Sequence, residues 1–467
     1  MTKSIQKPVL PLSAEPPTVE RLLKAVLRSG LLDRGKLQAA LRDVALDRRD
    51  DPEAVADHLV KTGRLSRFQA RKLLQGMPGG LVLGPFQILA PIGKGGMGTV
   101  YLARDVRGDQ LQALKVLTPK RARESERLLA RFRREMEMCQ RVAHPHIAWT
   151  CDVGVCQGVY YIAMEYIPGR SLYRIVNDEG PLDVSRAARL FGEVAEALDH
   201  AHHQGLIHRD LKPSNVQITP NDHAKLLDLG LAIVQGEAAA SREVVGGQGY
   251  VVGTMDYIAP EQTENAAGVD PRSDIYAFGS TLYFALTGRP PFPGGTALEK
   301  VQRHRSEEPL PIEQINPRVP VSFCGLVRRL MAKDPADRMP TALAVVEELH
   351  AWANGEAVRP LDRPGDSKYE KAVHDIESAE PSVELIAEPL PVEEPVGEAV
   401  LIGEEIPVGK PVGCGPRKSS ARRSAPRLPQ APPPLTWENR PSSVIGLLLV
   451  LIAIATAAVG ALLLWGH

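Results

Sequence analysis

Apolar positions along the chain change their spacing several times, and each change marks a segment. Residues 1–17 are broken by prolines and carry no period, so they read as disordered. From 18 to 76 the spacing is helical. Leu22, Leu23, Val26 and Leu27 form one stripe, and Leu37, Ala40, Leu41 and Val44 form another. Leu27-Arg28-Ser29-Gly30-Leu31-Leu32-Asp33 is echoed by Val60-Lys61-Thr62-Gly63-Arg64-Leu65-Ser66. Each copy reads as a helix end, a glycine just past it, and an Asp or Ser capping the next helix. The pattern predicts a four-helix module ending near Gln75, with either a docking or regulatory role or a purely structural one. Gly76-Met77-Pro78-Gly79-Gly80 reads as a hinge.

From residue 83 the pattern turns to strands, at 86–89, 99–103 and 112–117, followed by a charged helix over 126–141. Beyond Ile175 it is mostly helical, as at 185–204 and 275–287. Strands followed by helices predict a two-lobed α+β fold over 83–354. Residues 362–443 read as a disordered linker, rich in Glu and Pro and then basic at Arg417, Lys418, Arg422, Arg423 and Arg427. The run 444–465 is about 22 residues without a charge, long enough to cross a hydrocarbon core of ~30 Å. It reads as a transmembrane helix, and Arg440 with the basic cluster places everything before it in the cytoplasm. The expectation is a tail-anchored protein of the cytoplasmic membrane. Small residues in the span (Ala453, Ala457, Gly460, Ala461) permit a homodimer.

Composition narrows the function classes. Lys+Arg and Asp+Glu both number 56, so the formal net charge is zero and nothing points to nucleic acid. The five cysteines lack paired metal spacing and fit a reducing compartment. No apolar run follows the first charges, so no signal peptide is visible.

The chemistry concentrates in His208-Arg209-Asp210-Leu211-Lys212-Pro213-Ser214-Asn215. Asp210 can accept a proton from a hydroxyl, Lys212 can neutralise phosphoryl charge, and Asn215 can offer an amide oxygen to Mg²⁺. Gly93-Lys94-Gly95-Gly96-Met97-Gly98 precedes this stretch and Asp228-Leu229-Gly230 follows it. Glycines 93, 95 and 98 let backbone approach phosphates. Their place between two predicted strands separates them from the dinucleotide-binding pattern, which opens a helix. Lys115, flanked by Ala113, Leu114, Val116 and Leu117, reads as turned inward.

In this order the motifs resemble those of bacterial eukaryotic-like serine/threonine protein kinases. The resemblance implies a bilobal protein kinase fold, with the helical module before it and the transmembrane helix after it. It places ATP against Ile92, Gly93, Lys94, Gly95, Gly96, Met97, Gly98, Thr99 and Val100, and against Ala113 and Lys115. Glu135 is the implied partner of Lys115, with Glu137 as the fallback. Glu165 and Ile167 are the implied backbone partners of adenine. Asp210 and Lys212 take the catalytic roles, and Asn215 and Asp228 hold Mg²⁺. Glu261 is expected to pair with Arg338, and Asp274 to brace the loop at 208–215. Thr254 is implied near the acceptor site.

Two departures stand out. Leu229 replaces the family's usual Phe, a change that keeps the position apolar. No Thr lies between Asp228 and Gly253, which leaves Ser241 phosphorylation or phosphorylation-independent activity as the routes to an active state. The implied function is transfer of the ATP γ-phosphoryl group to Ser or Thr hydroxyls of protein substrates. The alternative is a membrane-tethered pseudokinase scaffold, against which the intact Lys115, Asp210, Asn215 and Asp228 count.

Overall fold

The structure, a computed structural model, describes residues 18–94, 98–227, 233–234, 255–264, 269–353 and 364–378. The expectations for residues 1–17, for the linker beyond Ser378 and for the span at 444–465 fall outside these residues. Among the described residues no helix is long and apolar enough to cross a membrane.

Four helices come first: α1 (Val19–Ser29), α2 (Arg34–Arg42), α3 (Pro52–Lys61) and α4 (Arg67–Leu74). Local chemistry sets their ends. Thr18 accepts the Arg21 amide and Asp33 accepts the Lys36 amide. Gly30 and Gly63 take φ of 75° and 66°, a conformation that strains a residue with a Cβ. Ser66 opens α4 with a reciprocal cap: its Oγ accepts the Gln69 amide, and Gln69 Oε1 accepts the Ser66 amide.

A six-stranded antiparallel sheet follows. Its strands are β1 (Val82–Leu83), β2 (Phe86–Lys94), β3 (Thr99–Asp105), β4 (Gln110–Leu117), β5 (Thr150–Cys156) and β6 (Val159–Glu165). Their order is β1-β2-β3-β4-β6-β5. Between β4 and β5 run α5 (Pro119–Glu124) and α6 (Glu126–Met138). Because side chains alternate along a strand, residues paired across the sheet share a face. Tyr101, Leu114 and Ala163 lie on one face, Val100, Lys115 and Ile162 on the other.

The first of these faces is where the helices go. Leu22, Val26, Val55, Leu59, Phe68 and Leu73 share one apolar cluster with Leu81, Phe86, Tyr101, Leu114, Tyr161 and Ala163. The Gly76–Gly80 stretch carries left-handed glycines at both ends and leads straight into buried Leu81. The apolar core therefore runs across the stretch that reads as a hinge. The reason is physical: an amphipathic helix set and a half-apolar sheet each need a cover, and each covers the other.

The second lobe is helical: α7 (Leu172–Glu179), α8 (Val184–His203), α9 (Arg272–Thr287), α10 (Ala297–Ser306), α11 (Ile312–Ile315), α12 (Val321–Leu330) and α13 (Ala342–His350). Buried residues run unbroken through α9 from Ser273 to Thr287, as expected of a helix wrapped on all sides. Phe191, Phe278, Phe284 and Phe323 belong to the cluster around it. Short strands lie at the lobe junction: β7 (Arg170–Ser171), β8 (Leu206–Ile207), β9 (Val216–Ile218), β10 (Ala224–Leu226) and β11 (Ile233–Val234). β9 pairs with both β7 and β10, and β8 pairs with β11.

One boundary needs correction. The linker read as starting at 362 contains a helix, α14 (Ser367–Ser378), with Tyr369 and Val373 buried. Tyr369, Val373 and Ile376 recur at helical spacing, but the surrounding Glu and Pro hid the period.

A shared core predicts shared unfolding. Leu59→Ala, at a fully buried site, should lower stability by about 2–5 kcal/mol in a urea titration. Hydrogen exchange should then rise in β2 and β3 as well as in α1–α4. A rise confined to residues 19–74, with the sheet still protected, contradicts the shared core.

Candidate active site

The loop at 208–215 leaves β8 and enters a short 3₁₀ turn at Pro213–Asn215. Within it Arg209 has φ of 65°, a left-handed conformation that costs a side-chain-bearing residue on the order of 1–3 kcal/mol. Asp274 at the start of α9 holds it there. Its Oδ1 accepts the Arg209 amide and its Oδ2 the His208 amide, each at 2.8 Å. His202 Nε2 on α8 lies 2.8 Å from Oδ2. Asp274 is fully buried, and burial pushes its carboxyl up. The His202 side chain and the Arg209 amide outweigh that and hold it below the usual carboxylate value. On the other side of the loop, Gln262 Nε2 donates to the Arg209 carbonyl at 3.0 Å.

With the loop fixed, its polar side chains converge. Lys212 Nζ lies 2.6 Å from Asp210 Oδ2. Asn215 Nδ2 donates to the Asp210 carbonyl at 2.8 Å and lies 3.3 Å from Oδ2. That bond orients the amide and leaves Oδ1 as its acceptor. The Asp210 amide donates to His208 Nδ1 at 3.2 Å, which sets the ring so that Nε2–H faces the Leu227 carbonyl at 3.3 Å. The Leu227 amide donates to the Asn215 carbonyl at 2.7 Å. His208 and Asn215 thus fix the backbone one residue ahead of Asp228. Asp228 itself lies outside the described residues, as do Gly95, Gly96, Met97, Ser241 and Thr254.

The sheet lobe carries a second set of candidate residues. Gly93, Val100, Lys115 and Ile162 are successive partners across β2, β3, β4 and β6. Lys115 Nζ lies 2.5 Å from Glu135 Oε1 on α6, with the two residues 6% and 2% exposed. The structure thus selects Glu135 over Glu137 as the partner. Ile92, Val100, Ala113 and Met164 are half-buried, an apolar strip beside the lysine. Lys94 is exposed at the end of β2, and Thr99 opens β3 opposite it. Gly98 has a steric reason of its own: a Cβ there would lie 2.0 Å from the Val116 carbonyl oxygen, whereas one at Gly93 would meet nothing closer than 3.8 Å.

The segment joining the lobes begins at Glu165. Its carboxylate is taken by Lys225 Nζ at 2.6 and 2.8 Å, and its amide donates to the Trp149 carbonyl at 2.8 Å. Ile167 is buried, and its carbonyl accepts Gln217 Nε2 at 3.3 Å. Beyond the cleft, Glu261 and Arg338 form a two-pronged pair at 2.7 and 2.8 Å, and Arg338 also donates to the Ala332, Lys333 and Arg272 carbonyls. Every guanidinium nitrogen is engaged, as a scaffold requires.

Lys225, His202 and Gln262 escaped the sequence reading. Lys225 alternates with buried Ala224 and Leu226 on β10, so it must face away from their core. That pattern signals an outward lysine but not its partner sixty residues earlier. His202 and Gln262 carry no local signal.

The comparisons agree with this geometry. Residues 86–351 match the protein kinase domain. The chain is similar to the serine/threonine-protein kinase pkn3 of Myxococcus xanthus, 38% identical over 57% of this chain and 49% of that protein. It is also similar to PrkC of Bacillus subtilis (36%, over 56% of this chain and 39% of that protein). PknB of Mycobacterium leprae is likewise 36% identical, over 57% of this chain and 42% of its own length. The chain thus spans half or less of the length of these curated relatives. With more than half of its residues inside the matched region, the chain belongs to the protein kinase family.

Proposed function

We propose that the chain is a serine/threonine protein kinase that moves the γ-phosphoryl group of ATP to hydroxyls of protein substrates. The observations that carry this are the triple of Asp210, Lys212 and Asn215 gathered on one loop and the buried Lys115–Glu135 pair. Asp210 takes the proton of the acceptor hydroxyl as its oxygen bonds to the γ-phosphorus. The bond from that phosphorus to the β–γ bridging oxygen breaks, and ADP leaves with the electron pair. Lys212, already beside Asp210, offsets charge on the phosphoryl oxygens. Lys115 grips the α- and β-phosphates, and Glu135 keeps its ammonium in place. The strip of Ile92, Val100 and Ala113 takes the adenine face, with backbone bonds from Glu165 and Ile167. Glycines 93, 95 and 98, with Lys94, Gly96, Met97 and Thr99, cover the phosphates.

Asn215 fits a place for Mg²⁺. Its amide nitrogen is already spent on the Asp210 carbonyl, which leaves its amide oxygen, 3.5 Å from Ser214 Oγ, as the hard donor that Mg²⁺ prefers. Asp228 is the proposed second ligand. Mg²⁺ held by these residues would neutralise phosphate charge during the transfer.

We also infer that 444–465 anchors the chain in the cytoplasmic membrane, with the kinase domain on the cytoplasmic side. The uncharged run of about 22 residues meets the length of a span, and the basic residues before it support the orientation.

Three outcomes follow. Asp210→Asn should abolish transfer from labelled ATP to a generic basic protein, by at least about 10²-fold, while calorimetric ATP affinity stays near the wild-type value. Transfer that survives the substitution removes Asp210 from the reaction. Glu135→Gln should raise KM for ATP at least about tenfold, since the buried Lys115 loses its counter-charge; an unchanged KM separates the pair from nucleotide binding. Deleting 444–465 should move the protein from the membrane fraction to the supernatant, and a deletion that leaves fractionation unaltered contradicts the anchor.

A further inference from the structure

Helix α14 lies beyond the matched kinase region, yet it packs on the part of the sheet that leads into the proposed nucleotide site. Leu89 from β2, Leu102 from β3 and Tyr166 after β6 form an apolar seat, and Tyr369 and Val373 of α14 fill it. These two lie at i and i+4, on one helix face. The Tyr166 and Tyr369 rings meet edge to face at 6.4 Å, and Tyr369 Oη points at the Tyr166 carbonyl at 3.5 Å. The Arg104–Glu377 pair at 3.8 Å is partly exposed and contributes little.

Two features tie this seat to the nucleotide. Tyr166 sits between Glu165 and Ile167, the proposed adenine partners. Ile92, one residue before Gly93, packs against the same cluster. The same stretch of β2 is gripped from the N-terminal helices. Ser66 Oγ donates to the Leu89 carbonyl at 2.5 Å, and Gln69 Nε2 to the Ile88 carbonyl at 2.8 Å. These carbonyls fall where the β2–β3 register slips, between Ile88 and Ala90. An irregular strand lacks a full ladder to fix it, and here α4 and α14 supply the missing constraint.

We propose that α14 is a strap that holds β2 and the lobe-joining segment in the shape that binds ATP, with Tyr369 as its positioning residue. The strap rests on the kinase reading above and deepens it. Holding the seat preformed removes an ordering cost from nucleotide binding, so ATP affinity carries the effect while the catalytic loop, fixed separately by Asp274, does not.

The test uses the full-length chain with Tyr369→Ala, Val373→Asp, the milder Ile376→Ala, and Lys371→Ala on the exposed side of α14 as control. Calorimetry with Mg·ATP and steady-state kinetics on a generic basic protein supply the readouts, and hydrogen exchange over 364–378 reports whether the strap is released. Expected are a rise of about five- to tenfold in Kd and KM for ATP for Tyr369→Ala and Val373→Asp, a smaller rise for Ile376→Ala, and wild-type values for Lys371→Ala. The kcat at saturating ATP and the KM for the protein substrate should stay unchanged. Should Tyr369→Ala or Val373→Asp unfold the chain, Ile376→Ala decides. An unchanged ATP affinity with α14 released overturns the strap, as does a fall in kcat alone. A wild-type chain that binds Mg·ATP but transfers no phosphoryl group overturns the kinase reading instead, and the affinity comparison still decides the strap.

Discussion

The site depends on one buried carboxylate. Asp274, at the start of a helix wrapped on all sides, accepts two consecutive backbone amides from the loop that carries Asp210. A carboxylate in that position is tolerable only because it is fully hydrogen-bonded. In return it fixes Arg209 in a conformation that an unconstrained chain avoids. The left-handed turn at Arg209 brings Asp210, Lys212 and Asn215 together. Without it the three side chains are merely neighbours in sequence.

Around this fixed loop the molecule is built as two anchored walls. The helical lobe carries Asp210 on a loop braced by Asp274, with Gln262 donating to the Arg209 carbonyl and Glu261 paired with Arg338. The sheet lobe carries the buried cation Lys115, through a pairing register that lines it up with Gly93 and Val100. Its outer face is covered by the N-terminal helices and its lobe-joining edge by α14. Segments outside the matched kinase region therefore complete the packing of the sheet.

What the sequence shows follows from the range of each interaction. The loop at 208–215 is legible because its chemistry lies within eight consecutive residues. The caps at Asp33 and Ser66 and the turns at Gly30 and Gly63 are legible for the same reason: each reaches no further than three residues. β3 and β4 read as strands from their apolar runs, but such a run does not say what covers each face. Hence the Gly76–Gly80 stretch reads as a hinge, although Leu81 joins a core shared with Leu22 and Leu59. Tyr369 and Val373 are two apolar residues in a charged stretch, and only the seat formed by Leu89, Leu102 and Tyr166 gives them meaning. Lys225 and Glu165 sit sixty positions apart, a distance at which charge pattern carries no pairing information.

The central claim is that a buried carboxylate holds a phosphoryl-transfer loop in its working shape. Asp274→Asn tests it most directly, because the amide keeps the volume but can accept with only one of its two side-chain atoms. The measurement is kcat for phosphoryl transfer beside calorimetric ATP affinity. The account predicts a kcat lower by about 10–10³-fold, in keeping with the cost of misplacing a catalytic group, with ATP affinity held by the opposite wall and unchanged. A variant with wild-type kcat would contradict it.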